Sequence, residues 1–311
     1  VEAMDGTRDE VIAAATAGEG LVFLSHVEER VNAKMDGLTG MEIYNRHADA
    51  KDDMGAIYGL VSVLLDPAKF AVMAEDLRNY PAELLASQLD YPELYFKKWD
   101  IESQKQRVVG IAANDCHHNQ VFVAKMVDEE TVLVGTIVDD DDDMRTLTAA
   151  QFPGIREMTK GRQPGDLLAQ FDFDPYYVSF HNCSTHILAP ELSESAARRA
   201  LKAGHAYVSH DWMCDPTGFV FGARLKKDGV GEPLSAIMGD KISFARGLRL
   251  VAEFPVSCDI RVIKDGKEIH AERGRSLDIK VRGPGVYRVE GWLTVDTEER
   301  PWIYANPIYV R

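Results

Sequence analysis

The chain has 311 residues, 45% of them apolar, which at roughly 150 residues per domain is enough for two cores and excludes a disordered chain or a fibrous repeat. Its longest uncharged, mostly apolar run, residues 56–65, stops at Asp66, short of the ~18–20 residues a membrane-spanning helix needs, so no membrane role is expected. The 35 basic and 50 acidic residues give a net charge of −15, with 33 of the acidic ones in residues 1–190, so nucleic acid meets a repulsive front segment and a small substrate suits the chain better.

Cys116, Cys183, Cys214 and Cys258 are scattered, with no Cys-x-x-Cys pair, and read as ordinary thiols rather than a disulfide framework. The sequence opens on Val1 with an acidic, Ala-rich stretch. No basic-then-apolar signal peptide is expected from it, and the compartment is unreadable.

In chain order, residues 8–17 have helical spacing and end at Gly18 and Gly20; residues 20–25 (GLVFLS) form a short strand-like apolar run. A second such segment covers 40–44. Helical patterns follow at 53–64, at 68–89 with a break at Pro81, and at 92–103. Residues 107–113 (RVVGIAA) then read as a strand buried on both faces. Apolar strands separated by helices imply a parallel sheet or barrel. Residues 131–138 read as a strand and Asp139 to Asp143 as a solvated loop, since five consecutive aspartates lack the spaced ligands and turn glycine of a calcium loop.

After Leu192 the pattern changes. Residues 193–203 form a helix capped by Gly204, and short β segments follow at 248–254, 259–263, 267–272, 277–281, 286–294 and 302–309, with Asp265-Gly266 marking a tight hairpin. These predict an antiparallel β-sandwich over residues 191–311 behind an α/β portion over residues 1–190.

In α/β sheets and barrels, ligand sites gather at the carboxyl ends of parallel strands. GLVFLS is followed by His26, GMEIYN carries Glu42 within the strand and Asn45 at its end, and RVVGIAAN leads into Asp115, Cys116, His117 and His118. Asp115 and His117 are two apart, so in extended backbone they face one side, as two ligands of one ion do. With His26 they have the composition of a metal site: a cation there polarises a phosphoryl oxygen and acidifies water. The plainer reading makes His26 a hydrogen-bonded strand end and Glu42 a partner for Arg46. Cys116, facing the other way, reads as a packed thiol rather than a nucleophile.

GLVFLSHVEE, then GMEIYN, then GIAANDCHHN, in that order and strand context, resembles the second half of a PHP domain, the polymerase and histidinol phosphatase metallohydrolase superfamily. Lys98-Trp99-Asp100 and the segments ALKAGHAYVS, VIKDGKEI and NPIYV are similar to PHP-like proteins with a C-terminal β domain. The resemblance implies a partial, distorted β/α barrel, and a centre of divalent ions (zinc, manganese or iron) that hydrolyses small phosphate esters. His26, Asp115 and His117 match the family's third and fourth motifs as metal ligands; Glu42 and Asn45 match a supporting strand. The family's opening His-x-His has no counterpart, because no His precedes His26. Little activity is therefore expected unless a front half is supplied, and open strand edges would favour self-association. Two other functions compete: a carbohydrate- or protein-binding module, with Trp292 and Trp302 as a sugar platform, and a metal-dependent amidohydrolase. Structural roles are expected for His181, His186, His205, His210 and His270.

Overall fold

A computed structural model gives the fold and describes residues 5–52, 59, 62–63, 65–86, 90–118, 121–172, 175–225, 233–295 and 297–311. Two compact units interleave along the chain: one comprises Val1–Asn45, Asp90–Ala113 and Cys183–Arg311, the other Arg46–Leu89 and Asn114–Asn182.

The first stretch holds α1 (Arg8–Ala17), β1 (Phe23–Leu24) and β2 (Gly40–Asn45). The second unit then contributes α2 (Arg46–Asp52), α3 (Pro67–Asn79) and α4 (Pro81–Ala86). The chain returns to the first unit with α5 (Glu93–Lys105) and β3 (Val109–Ala113). The second unit is completed by β4 (Val121–Asp128), β5 (Thr131–Thr136), β6 (Arg145–Thr148), α6 (Ile155–Thr159), β7 (Leu167–Asp172) and α7 (Tyr176–Asn182). The last stretch runs β8 (Ser184–Ile187), α8 (Glu194–Ala203), β9 (Ala206–Ser209), β10 (Val220–Leu225), β11 (Ala236–Ile237) and β12 (Lys241–Ile242). It ends with β13 (Leu248–Lys264), β14 (Lys267–Lys280), β15 (Gly285–Val295), β16 (Glu298–Ala305) and β17 (Ile308–Val310).

Local chemistry sets the helix ends. Thr7 and Glu10 form a capping box on α1, Asp66 caps α3 ahead of Pro67, and Ser193 caps α8. Gly204 ends α8 at φ 78, a left-handed cap that a Cβ would strain. The helix expected over 53–64 lies largely outside the described residues, as do residues 87–89 of the next one.

In the first unit, β1, β2 and β3 form a parallel sheet in that order. Met41 and Ile43 of β2 pack with Phe96 and Trp99 of α5 and with Val208 and Tyr304. The edge of β3 away from β2 is met by side chains. Asn306 Oδ1 accepts from Gly110 N–H at 2.7 Å, its Nδ2 donates to Gly110 O at 3.0 Å and Ala206 O at 2.8 Å, and Thr185 Oγ1 accepts from Ala112 N–H at 2.9 Å.

Strands β8 to β17 form one ten-stranded, mainly antiparallel sheet among the described residues. The segments read from sequence as separate strands at 248–254 and 259–263 are one strand, β13, whose front half pairs with β10 and whose back half pairs with β15. Pro255 falls where the β13–β14 register lapses, between Glu253 and Cys258, so its missing N–H costs no ladder bond and the strand continues past it. Both halves contribute to one core with Phe221, Leu250, Ile260, Val289 and Trp302, so the sheet folds over itself. Asp265 and Gly266 adopt φ 50 and 79, the two positive values a tight hairpin requires. Trp302 is fully buried, donating to Cys214 O at 2.9 Å, and Trp292 is buried beneath the Arg261 guanidinium, so neither offers an exposed sugar platform.

The second unit departs from the sequence expectation of further barrel strands. Its sheet, in the order β6-β5-β4-β7, is antiparallel throughout. Only Glu129 and Glu130 join β4 to β5, far fewer than the dozen or so residues a parallel crossover needs. Leu65, Met73, Val132, Phe171 and Val178 fill its core. The aspartate run is a turn: Asp139 Oδ2 accepts from the Thr136 N–H at 2.6 Å and hydroxyl at 2.9 Å, and Asp141 pairs with Lys125 at 2.7 Å. Among the described residues no helix is long and apolar enough to cross a membrane.

Candidate metal centre

Because β1, β2 and β3 are parallel, their carboxyl ends lie along one edge of the sheet, and the first candidate ligand sits just past one of them. Two residues beyond β1, His26 is held at φ 51, a left-handed conformation that costs a non-glycine residue about 1–2 kcal/mol. Its N–H donates to Glu42 Oε2 at 2.9 Å, and the same oxygen accepts from Asn45 Nδ2 at 3.3 Å. Glu42 is a buried strand residue. Burial raises its pKa, and these hydrogen bonds only partly offset that. Glu42 and Asn45 thus tie the end of β2 to the left-handed turn after β1.

Glu29 and Arg30 both donate their N–H to His26 O at 3.1 Å, closing a turn that brings the next side chains back towards the imidazole. His26 Nδ1 lies 2.8 Å from Glu28 Oε1, and the other Glu28 oxygen accepts from the Tyr95 hydroxyl. Burial pushes the Glu28 carboxyl up, but the hydrogen bonds from Tyr95 and His26 outweigh it and keep the group below its ordinary range. One ligand atom from each of His26, Glu28 and Glu29 falls within 4.8 Å of the others.

The second group follows β3 and belongs to the other unit. Asp115 and His117 do meet, with Asp115 Oδ1 and His117 Nε2 2.8 Å apart, though not by the route read from sequence. The backbone is not extended here: β3 ends at Ala113, and Asp115 and His118 both have left-handed φ, 50 and 53. The pair forms on an irregular loop rather than by strand alternation. The His47 ring centroid lies 5.1 Å from that of His117, and His118 Nε2 lies 2.8 Å from Asp172 Oδ2, with the Tyr176 ring 5.3 Å away.

Imidazole and carboxylate are donor types that a divalent ion takes, and in each pair the two groups are hydrogen-bonded to one another at 2.8 Å. The sequence reading passed over Glu28, His47 and Asp172. His26-Val27-Glu28 repeats the ligand-x-ligand spacing of Asp115-Cys116-His117, a signal that was there to be used; His47 and Asp172 depend on the fold.

Three of the other histidines, His186, His205 and His270, lie against carboxylates. His186 Nε2 lies 3.0 Å from Asp211 Oδ1, and that oxygen also accepts from the Ser209 hydroxyl. His205 pairs with Asp240 at 2.9 Å and His270 approaches Glu272 at 3.2 Å. The cysteines are free thiols, and burial pushes Cys214 upwards and Cys258 to about 12, which makes both poor nucleophiles. Comparisons with protein-family models, curated proteins and solved structures find no match to this chain.

Proposed function

We propose that the chain is a metal-dependent hydrolase of small phosphate esters of the PHP type, with β1, β2 and β3 as the second half of a distorted β/α barrel. His26 with Glu28 in the first unit, and Asp115 with His117 in the second, are its metal-ligating pairs. The observation that supports this is the recurrence of one unusual arrangement after two strands of the same parallel sheet: a left-handed non-glycine residue with an imidazole and a carboxylate 2.8 Å apart. A left-handed non-glycine residue also closes the Asp265-Gly266 hairpin, so the weight rests on the imidazole–carboxylate pair beside each strained residue.

A divalent cation held there supplies positive charge to a phosphoryl oxygen. Glu42 and Asn45 fix the His26 backbone, and Tyr95 fixes the Glu28 oxygen that faces away from the imidazole. His118, oriented by Asp172 Oδ2 at 2.8 Å, is the proposed proton donor to a leaving alkoxide.

Metal content tests the reading independently of turnover. After incubation with manganese, zinc or iron(II) and gel filtration, the chain retains stoichiometric metal by plasma mass spectrometry, and His26→Ala and His117→Ala each lower affinity by on the order of 100-fold. Hydrolysis of p-nitrophenyl phosphate, where measurable, falls with it. Failure of the intact chain to retain any of the three ions overturns the proposal.

A further inference from the structure

Far along the chain from the candidate ligands, a cavity of about 550 Å³ opens among β13, β14 and β15. Arg249, Lys264, Lys280 and Arg282 line it against a single carboxylate, Asp278. In a chain with fifteen more acidic than basic residues, that concentration of positive charge runs against the composition. Asp278 is also committed: it pairs with Arg249 and, at 3.0 Å, with Arg224. Among the described residues, Lys264, Lys280 and Arg282 have no carboxylate within ion-pair distance.

Two further features mark the cleft as built. Arg249 and Lys280 are directly opposite in the β13–β14 register, a like-charge pairing for which Asp278, already shared between Arg249 and Arg224, is the one lining carboxylate. Lys264 lies across Gly285, where a Cβ would come within 2.4 Å of its Cε, so the glycine makes room for the lysine stem. The ammonium then sits 5.4 Å from the centre of the Tyr287 ring. Ile269 and Ile279 give one wall an apolar surface.

We infer that this cleft binds a small organic diphosphate, its phosphoryl groups held by Lys264, Lys280, Arg282 and Arg249 and its organic part against Ile269 and Ile279. Four cations against one carboxylate leave an excess of the size that two adjacent phosphoryl groups neutralise, and the volume is that of a small-ligand site. Arginine contributes a planar fork and lysine a point charge, the usual division of labour around phosphate. No residue is shared with the candidate metal ligands, so this inference stands or falls separately from the hydrolase reading.

The test is calorimetric titration of inorganic pyrophosphate into the full chain, freed of metal by chelation and dialysed into low salt, with sulfate and acetate titrated in parallel. Pyrophosphate is expected to bind at least roughly tenfold more tightly than sulfate and to weaken as sodium chloride is added. The Lys280→Glu/Arg282→Glu double variant, changed at two exposed positions, should lose roughly tenfold or more in affinity with an unchanged circular dichroism melt. Equal binding of sulfate and pyrophosphate, or full affinity in the double variant, overturns the inference.

Discussion

His210 is an imidazole with nothing to bond. It is fully buried, 4.6 Å from the Tyr44 ring and 5.7 Å from the Tyr304 ring by centroids, and neither nitrogen has a hydrogen-bond partner among the described residues. Burial pushes its pKa down to about 3, against a slight upward pull from Asp211. The sign follows directly: below pH ~6.5 the unfolded chain takes up a proton that the native chain refuses, so His210 erodes stability as pH falls towards 3, by about 1.4 kcal/mol per pH unit. Asp211, held low because hydrogen bonds from His186, Ser184 and Ser209 outweigh burial, gives stability that is lost only as pH falls below its ordinary carboxylate range, so between pH 7 and pH 5 His210 is the one of the two that acts. Urea denaturation at pH 7 and pH 5 should show His210→Phe losing about 2 kcal/mol less than the parent across that interval. An equal loss in both would mean that His210 is charged in the native state. None of this was readable from SHDW, for which the sequence supports only a structural role. His26, Asp115 and His117 stand out by residue type and by following apolar runs, whereas the lack of partners around His210 is a property of packing.

The parallel sheet depends on a side chain from a distant element. Asn306 occupies both the N–H and the C=O of Gly110 and also bonds Ala206, at 1% exposure, so removing its amide leaves the two Gly110 backbone groups unpaired in a site closed to water, while Ala206 O keeps the Asn306 backbone N–H at 3.4 Å. Asn306→Ala is expected to destabilise the fold by about 3 kcal/mol and to speed amide hydrogen exchange at Gly110, which would stay slow if the clamp were incidental. The parallel character of β1, β2 and β3 was legible because short runs apolar on both faces alternate with helical patterns. The clamp was not, since Asn306 lies inside the segment read as a β strand over 302–309. The antiparallel second unit was also missed, although the two-residue Glu129-Glu130 link argues against a crossover and could have revealed it. Strand β13 reads as two segments on either side of residues 255–258, whereas Pro255, which has no N–H to donate, sits where the β13–β14 ladder lapses and the strand runs on.

Across the whole molecule, composition located where the β-rich language begins, near residue 190, but contacts follow another logic. Strand β8, before that point, pairs with β9 beyond it. The buried Arg288 guanidinium of β15 reaches back to Asp100 of α5 with two bonds of 2.8 Å and also to Glu290. Desolvation would lower its pKa, but Asp100 and Glu290 more than reverse that, so the charge persists in a site that needs both carboxylates. Asp100→Ala should therefore cost about 3–5 kcal/mol by urea denaturation. By the same reasoning, residues 191–311 expressed alone, stripped of Asp100 and β8, should melt without a cooperative transition; a sharp melt of that fragment would show that the back-reaching contacts are dispensable.

Asn306 and Tyr309, whose hydroxyl accepts from Val108 N–H at 3.1 Å, meet β3 only after roughly 200 further residues have been translated. At ribosomal speed that is on the order of 10–40 seconds, during which the nascent strand has one edge unsatisfied. The waiting edge exposes the sticky backbone that chaperones shield, so slowing synthesis downstream of residue 113 should lower soluble yield even though the finished protein is unchanged.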